Sequence, residues 1–160
     1  MSKTQFVGFG EEGFWAYDVA LGIFLKHLID AADASGQADA PWLSEAVSSW
    51  RVTACISDYG LTLTADWSTA QWKTFLILVE EACARLAARE SIPAGEIVDW
   101  QILEGTCLHT RGAPEVHTAP IVELGQAIIA LVSGRLQAAP KGKIWLYGTP
   151  SGRETLGWEG

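Results

Sequence analysis

Apolar side chains recur at three- and four-residue intervals from position 14 to position 32, and this spacing predicts a long helix over 14–32. The apolar stripe is wide, so we expect other elements to cover the helix on more than one side. Ahead of it, the apolar residues 6–9 lead into a glycine cluster, which predicts a short strand closed by a turn. The small, polar segment 33–40 predicts a surface loop, and Pro41 suits the first turn of a short helix over 41–50.

A second pattern, the alternation of apolar and polar positions, appears in the middle of the chain. It runs over 52–56 and again over 61–65, and a turn-forming segment that ends at Gly60 separates the two stretches. Two alternating stretches joined by such a turn predict an antiparallel hairpin with one better-buried face.

The clearest helix start in the sequence follows this predicted hairpin. Ser68 and Gln71 have the spacing of a capping box, in which each side chain bonds the backbone N–H of the other residue. Trp67 and Trp72 flank the box and are placed to pack against each other as a hydrophobic staple. Apolar residues then continue at helical spacing, so we expect a helix over about 69–90.

The C-terminal part of the chain predicts a third long helix and one more strand. Thr118 and Pro120 fit the start of the helix, and the apolar run 143–147 predicts the strand. For residues 93–118 the pattern leaves helix and extended chain open. The glycine-rich segment 149–160 predicts a turn and a loose C-terminal tail.

These elements do not alternate strictly between strand and helix, so their order favours an α+β fold over a doubly wound parallel sheet. We expect a small, mostly antiparallel sheet with two or three long helices packed on it. The length of 160 residues fits a single domain over 1–160, and 49% apolar residues suffice for its core without disulfides or metals.

The charge of the chain is strongly negative and unevenly distributed. The formal net charge is −8; residues 1–50 carry seven acidic and two basic side chains, whereas residues 101–160 carry five of each. The acidic part would repel a phosphate backbone, which disfavours nucleic acid as a partner. A basic protein would be attracted, and its association would be accelerated.

Cysteine usage predicts a reducing compartment. Cys55, Cys83 and Cys107 form no CxxC pair and are odd in number, which argues against a disulfide framework. The N-terminal residues lack the basic and apolar regions of a secretory signal, and the most apolar stretch, 14–29, is too short to span a bilayer. We therefore expect a soluble cytoplasmic protein that does not enter a membrane.

Few residues suggest catalysis or a bound cofactor. Cys107, His109 and His117 are the one cluster that combines soft metal ligands with a nucleophile beside a base, and Arg111 lies between them. Zinc sites space their ligands more regularly, and neither an oxyanion loop nor an orienting acid accompanies the cysteine. The G-x-G-x-x-G spacing over 8–13 lacks the strand-borne acidic residue of a dinucleotide site. The sequence therefore predicts no metal, no cofactor and no catalytic residue.

Tryptophan is the most informative residue type. The eight tryptophans outnumber the five phenylalanines and the three tyrosines, and tryptophan is enriched at the hot spots of protein interfaces. Four tryptophans near predicted loops or element ends, together with five acidic residues of the first half, form the predicted partner-binding set: Trp42, Trp50, Trp100, Trp158, Glu11, Glu12, Asp30, Asp33 and Asp39.

The sequence favours a small, acidic, non-catalytic protein-binding module that docks on a basic partner. An inhibitor is one form of such a module, and bacterial immunity proteins that block cognate toxins are similar in general composition. The alternative is an enzyme or small-molecule binder built around the segment 105–118. A cleft that gathers Cys107, His109 and His117 would support the alternative, whereas an exposed apolar patch rimmed by acids would support the binding module.

Overall fold

The computed structural model describes residues 4–56, 60–63 and 66–157, and this part of the chain has an α+β fold. The helices are α1 (Asp18–Ala34), α2 (Pro41–Cys55), α3 (Thr69–Ala87), α4 (Ala94–Ile97) and α5 (Ala119–Val132). The strands are β1 (Thr4–Phe9), β2 (Glu12–Tyr17), β3 (Leu61–Leu63), β4 (Ser91–Pro93), β5 (Glu115–His117), β6 (Lys143–Tyr147) and β7 (Glu154–Gly157).

The main sheet has five strands in the order β3-β1-β2-β6-β7. The pairs β1–β2 and β6–β7 are antiparallel, whereas β3 is parallel to β1 and β6 is parallel to β2. The sheet is therefore mixed rather than mostly antiparallel, because helices provide the long crossovers that parallel pairs require. Four helices of 14 to 19 residues are present instead of the expected two or three. Strands β4 and β5 form a separate two-stranded antiparallel sheet.

The N-terminal hairpin corrects the predicted start of the first helix. Residues 14–17 belong to β2, and α1 begins only at Asp18. Phe14 and Ala16 are buried and their neighbours are half-buried, so burial alternates as it does in a strand. Gly10 makes the turn with a φ of 61°, a conformation that glycine adopts without strain.

Helix α1 lies at the centre of the core, and α2, α3 and α5 pack around it. Twelve of its residues are buried, which explains the wide apolar stripe in the sequence. A Cβ on Gly22 would lie 3.2 Å from the Ala54 carbonyl oxygen and 3.2 Å from the Leu108 side chain, so the end of α2 and the loop at Leu108 both contact α1 there. None of the helices in the described segments is long and apolar enough to cross a membrane.

The predicted hairpin over 52–65 is wrong in its first half, because residues 52–55 continue α2. The buried residues of this helix follow three- and four-residue spacing: Leu43, Ala46, Val47, Trp50 and Thr53. Strand β3 confirms part of the predicted second strand, but it pairs in parallel with β1. Residues 57–59, which include most of the predicted turn, and residues 64–65 lie outside the described part of the chain.

The start of α3 confirms the capping box and the staple. The Ser68 hydroxyl accepts a hydrogen bond from the Gln71 backbone N–H (3.2 Å), and the Ser68 N–H donates to the Gln71 side-chain oxygen (2.9 Å). The ring centroids of Trp67 and Trp72 lie 4.7 Å apart. The helix ends at Ala87, a few residues earlier than expected.

The C-terminal elements match the predictions from the sequence in two respects and differ from them in two. Helix α5 begins after Thr118 with Pro120 in its first turn, and β6 confirms the strand predicted over 143–147. The Thr118 hydroxyl, however, donates to the Arg89 carbonyl oxygen instead of capping α5. Strand β7 is an edge strand within the segment expected to be a loose tail. Residues 107–112, whose structure the sequence left open, form a loop.

Candidate protein-binding groove

A groove of about 460 Å³ lies between α2 and β3, and the start of α3 contributes the rest of its lining. Three separate parts of the sequence therefore meet at this site. The lining residues are Trp42, Glu45, Ala46, Ser49, Trp50, Leu61, Thr62, Leu63, Asp66, Trp67 and Gln71.

Helix α2 forms one wall of the groove, because its lining residues recur every three or four positions. Trp42, Glu45 and Ser49 lie on one face of the helix, about one turn apart. Trp50, on the same side, is only 3% exposed, and its ring centroid lies 5.9 Å from that of Phe75 in α3. Trp50 therefore anchors this wall to the core.

Strand β3 forms the opposite wall, and it stands at the edge of the main sheet. Successive residues of a strand point to opposite faces of a sheet. The groove nevertheless contacts Leu61, Thr62 and Leu63 alike, so it runs along the edge of the strand rather than over one face. Within the described part of the chain β3 pairs only with β1, so the backbone groups of its other edge face the groove.

Gly60 sets the position of β3. Its N–H donates to the Gln5 side-chain oxygen (3.1 Å), and its carbonyl oxygen accepts from the Thr53 hydroxyl near the end of α2 (3.1 Å). Its φ is 63°, and a Cβ at this position would lie 2.7 Å from the Phe6 carbonyl oxygen. Glycine alone fits this approach without strain, and the approach holds the strand edge in place beside α2.

Trp67 lies at the centre of a cluster of aromatic rings at the groove. The Trp67 ring centroid lies 5.2 Å from that of Trp42, 4.7 Å from that of Trp72 and 5.3 Å from that of Phe75. Tilted and edge-to-face contacts of this kind hold rings in defined orientations. Trp42 and Trp67 are only half-buried, so part of each indole faces the groove. A wall ordered before binding lowers the entropic cost of association.

Glu45 and Asp66 give the groove its charge, since both are exposed and both line it. None of the described residues that line the groove is a lysine, an arginine or a histidine. The groove therefore combines indole surface with negative charge. This combination suits a ligand whose apolar stems carry positive charges.

The structure separates the four tryptophans that the sequence assigned to partner binding. Trp42 and Trp50 line the groove. Trp100 packs against α1 instead, with the Lys26 amine 4.9 Å from its ring centroid. Trp158 lies outside the described residues.

The five acidic residues assigned to partner binding lie outside the groove lining. Glu11 and Glu12 are exposed at the β1–β2 turn. Asp30 and Asp33 each form an ion pair with a basic side chain of α1 or α2. Asp39 is exposed in the loop before α2.

Sequence reasoning missed several groove residues. Glu45 follows Trp42 by three residues, a helical spacing that could have placed the two on one face. The sequence predicts only a staple contact for Trp67, although its ring also faces the groove. The placement of β3 beside α2 has no local signature in the sequence, because it depends on the parallel pairing of β3 with β1.

A second and much smaller cleft lies beside the start of α1. Cys107 and His109 line it together with Asp18, and its volume of about 20 Å³ is roughly that of one water molecule. His117 is exposed in β5 and does not line this cleft. The structure therefore does not gather the three residues of the enzyme alternative, and the cleft has no room for a substrate.

Arg111 forms a largely buried ion pair beside this cleft. Its guanidinium makes two hydrogen bonds to the Asp18 carboxylate, one of them from Nε to Oδ1 at 3.0 Å. The Asp18 and Arg111 side chains are 4% and 19% exposed. Among the described residues other than glycine, only Arg111 has a positive φ, at 53°. The two bonds to a buried carboxylate hold Arg111 in this backbone conformation and indicate a structural role for it.

The three thiols are unpaired, and two of them are poor nucleophiles. Burial, with a smaller contribution from Glu80, raises the pKa of Cys83 to about 11. Burial also raises the pKa of Cys55. Both thiols stay protonated near neutral pH, whereas nucleophilic attack requires a thiolate. The remaining thiol, Cys107, is exposed.

Among the described residues, no three His, Cys, Asp or Glu side chains are grouped so that they could hold a metal ion. The chain matches no known protein-family model, no curated protein and no solved structure. The fold and the site together define an α+β protein with a mixed five-stranded sheet and an acidic, aromatic groove at the sheet edge.

Proposed function

We propose that this protein is a non-catalytic protein-binding module that docks on a basic partner through the groove between α2 and β3. The observation that carries the proposal is the contact of Trp42 with Trp67, beside Glu45, along the edge of β3, which pairs only with β1 among the described strands. Aromatic side chains in pockets supply much of the affinity of protein interfaces, and surrounding acidic residues select a basic surface.

The charge distribution supports the same proposal at longer range. The net charge is −8, and seven of the acidic side chains lie within residues 1–50. A field of this sign accelerates encounter with a basic partner. In this proposal Glu11, Glu12 and Asp39 steer the approach, and the indoles of the groove hold the partner once it is bound.

An inhibitor or immunity-type protein would use such a groove to cover a basic surface of its target. The cytoplasm is the proposed location, because free thiols persist in a reducing compartment. The enzyme alternative has less support, since small-molecule sites enclose roughly 300–1,000 Å³. The cleft at Cys107 holds about 20 Å³.

Affinity capture from cells of the native host tests the proposal. Two groove variants, Glu45→Lys and Trp42→Ala, are compared with the wild-type chain and with two matched controls. The controls are Glu104→Lys, which changes an exposed acid elsewhere, and Trp100→Ala, which truncates a half-buried tryptophan outside the groove. We expect the wild type and both controls to retain a basic protein that both groove variants lose.

Urea unfolding provides the folding control. Because Glu45 and Glu104 are both exposed, the two charge-reversal variants should unfold at nearly the wild-type midpoint. Equal capture by all of these chains would contradict the proposal, and so would capture of nucleic acid alone.

A further inference from the structure

We infer that the partner presents an extended basic segment, which adds to β3 as a new edge strand and directs lysine or arginine side chains toward α2. This inference rests on the proposed function and specifies the shape and chemistry of what the groove binds. Two observations carry it: the groove follows the edge of β3 that pairs with no other strand in the described part of the chain, and its opposite wall combines tryptophan with glutamate.

The backbone of β3 supplies the binding groups for an added strand. All three β3 residues line the groove although their side chains alternate between faces, so the strand edge itself faces the groove. Leu61 and Leu63 are 3% and 4% exposed, which leaves little of their side chains for a ligand to contact. An extended segment can satisfy the N–H and C=O groups of this edge, as in other complexes formed by strand addition.

The two walls have matching lengths. From Trp42 to Ser49 the helix rises about 10 Å, at roughly 1.5 Å per residue. Strand β3, with three residues, is also about 10 Å long at roughly 3.3 Å per residue. A segment of about three to four extended residues therefore fits between them.

The helical wall selects for basic side chains with apolar stems. In an added strand, every second side chain points toward α2, where the half-buried Trp42 and the exposed Glu45 lie. A lysine or arginine can lay its methylene stem on an indole and extend its charged end to the Glu45 carboxylate.

The chain uses the same pairing within its own fold. The Arg153 guanidinium lies 3.8 Å from the Trp145 ring centroid, and the Lys26 amine lies 4.9 Å from that of Trp100 while it pairs with Asp30. The indoles of the groove have no such cation among the described lining residues, so the partner would supply it.

Selection from a phage library of short random peptides tests the inference. The library is selected on the wild-type chain and depleted on the Glu45→Lys variant. We expect lysine or arginine at alternate positions of the enriched peptides. The best peptide is then synthesised in two N-methylated forms, one methylated at the odd residues and one at the even residues.

The two N-methylated peptides distinguish strand addition from other modes of binding. In an added strand every second residue directs its N–H and C=O to β3. One methylated form should therefore lose affinity by about tenfold or more, and the other should stay within about threefold of the unmodified peptide.

The other outcomes contradict either strand addition or binding at the groove. If both methylated forms lose affinity equally, or neither does, the segment is not an added strand, and the inference fails while the proposed function stands. Enriched peptides without basic residues would also overturn the inference. If no peptide prefers the wild type over Glu45→Lys and Trp42→Ala, the groove is not a binding site, and the proposed function fails as well.

Discussion

The groove between α2 and β3 and the cleft beside α1 are both lined by acidic side chains, but they differ in volume and in what those side chains contact. In the cleft, the Asp18 carboxylate is bonded by Arg111, and the volume is about 20 Å³. In the groove, about 460 Å³ is open, and the half-buried indoles of Trp42 and Trp67 face it beside the exposed Glu45. The charged groups beside the cleft are paired within the fold, whereas the groove leaves indole and carboxylate surface accessible.

The difference shows why residue type alone does not identify a site. Cysteine, histidine, aspartate and arginine come together near the cleft, a set that would suggest catalysis from its chemistry. The Asp18 and Arg111 charges pair with each other within the fold, and the space beside Cys107 and His109 is too small for a substrate. The groove has simpler chemistry but has accessible aromatic surface.

Removal of the cation in the buried pair should have the largest effect on stability. Arg111→Ala leaves the Asp18 carboxylate, 4% exposed, without its partner and should lower the free energy of unfolding by about 3 kcal/mol. Alanine retains the Cβ, so the backbone strain at a φ of 53° is largely unchanged. Urea unfolding measures the loss, and binding at the groove should persist wherever the variant is folded.

The matched control for this variant is Arg85→Ala, which removes an exposed arginine from an i,i+4 pair with Glu81. Arg85→Ala should lower the free energy of unfolding by no more than about 0.5 kcal/mol. Equal losses of unfolding free energy in the two variants would show that water already screens the Asp18–Arg111 pair. The charges beside the cleft would then be no more committed to the fold than those of the groove.

Gly60→Ala should have the next largest effect, and it should affect both regions. The residue bonds Gln5 at the cleft and precedes β3 at the groove. Its φ of 63° and the 2.7 Å approach of a Cβ to the Phe6 carbonyl oxygen predict a loss of about 2 kcal/mol in the free energy of unfolding. Because β3 must shift, partner binding should weaken as well.

Gly36→Ala is the control for Gly60→Ala. Gly36 has a φ of 78°, but a Cβ there would meet no atom within 4 Å. The substitution should therefore lower the free energy of unfolding only by the cost of a left-handed backbone conformation at alanine, about 1 kcal/mol. Unfolding energies that fall equally in the two variants would mean that β3 adjusts to the added methyl group without difficulty.

Ser68→Ala should have a smaller effect, limited to the groove side. It removes the hydroxyl that accepts from the Gln71 N–H and should lower the free energy of unfolding by about 1 kcal/mol. Trp67, which precedes the cap, should also show a changed fluorescence spectrum. Ser48→Ala, at an exposed position of α2, serves as the control, and a loss of similar size there would argue that the cap is not a specific contributor.

A rise in salt concentration should have the smallest effect of those considered, a change in the association rate of the partner. The Debye length falls from about 10 Å at 0.1 M salt to about 3 Å at 1 M, so the association rate should fall several-fold. Charge reversal at Glu11, Glu12 or Asp39 should slow association, whereas Trp42→Ala should mainly speed dissociation. Stopped-flow measurements separate the two rates, and an association rate that does not change with salt would rule out steering.

The capping box shows what the sequence could predict. Ser68 and Gln71, with Trp67 and Trp72 beside them, determine the start of α3 through contacts within a few residues, and the structure confirms each of these contacts. The strand at 143–147 is likewise predicted by a local signal, the apolar run of its own residues. The α+β class followed from the order of such elements.

The errors occurred where distant contacts decide the local structure. Residues 52–55 alternate as a strand would, but Trp50 and Thr53 are buried at helical spacing, and packing of α2 on α1 determines the outcome. Residues 14–17 look helical, yet pairing with β1 makes them a strand. The groove depends on the parallel β1–β3 pair. The sequence could therefore nominate Trp42 and Trp50, two of the three tryptophans that line it, but it could not predict the groove around them.

Site-specific photocrosslinking in the native host distinguishes a partner bound in the groove from one bound elsewhere on α2. A photoreactive amino acid replaces Ser49, which lines the groove, or Ser48, which is exposed on α2 but does not line it. Adjacent helix positions differ in direction by roughly 100°, so the two probes sample different surfaces of one helix. We expect a crosslink to a basic protein from position 49 and none from position 48. Equal crosslinking from both positions, or crosslinking from position 48 alone, would contradict it.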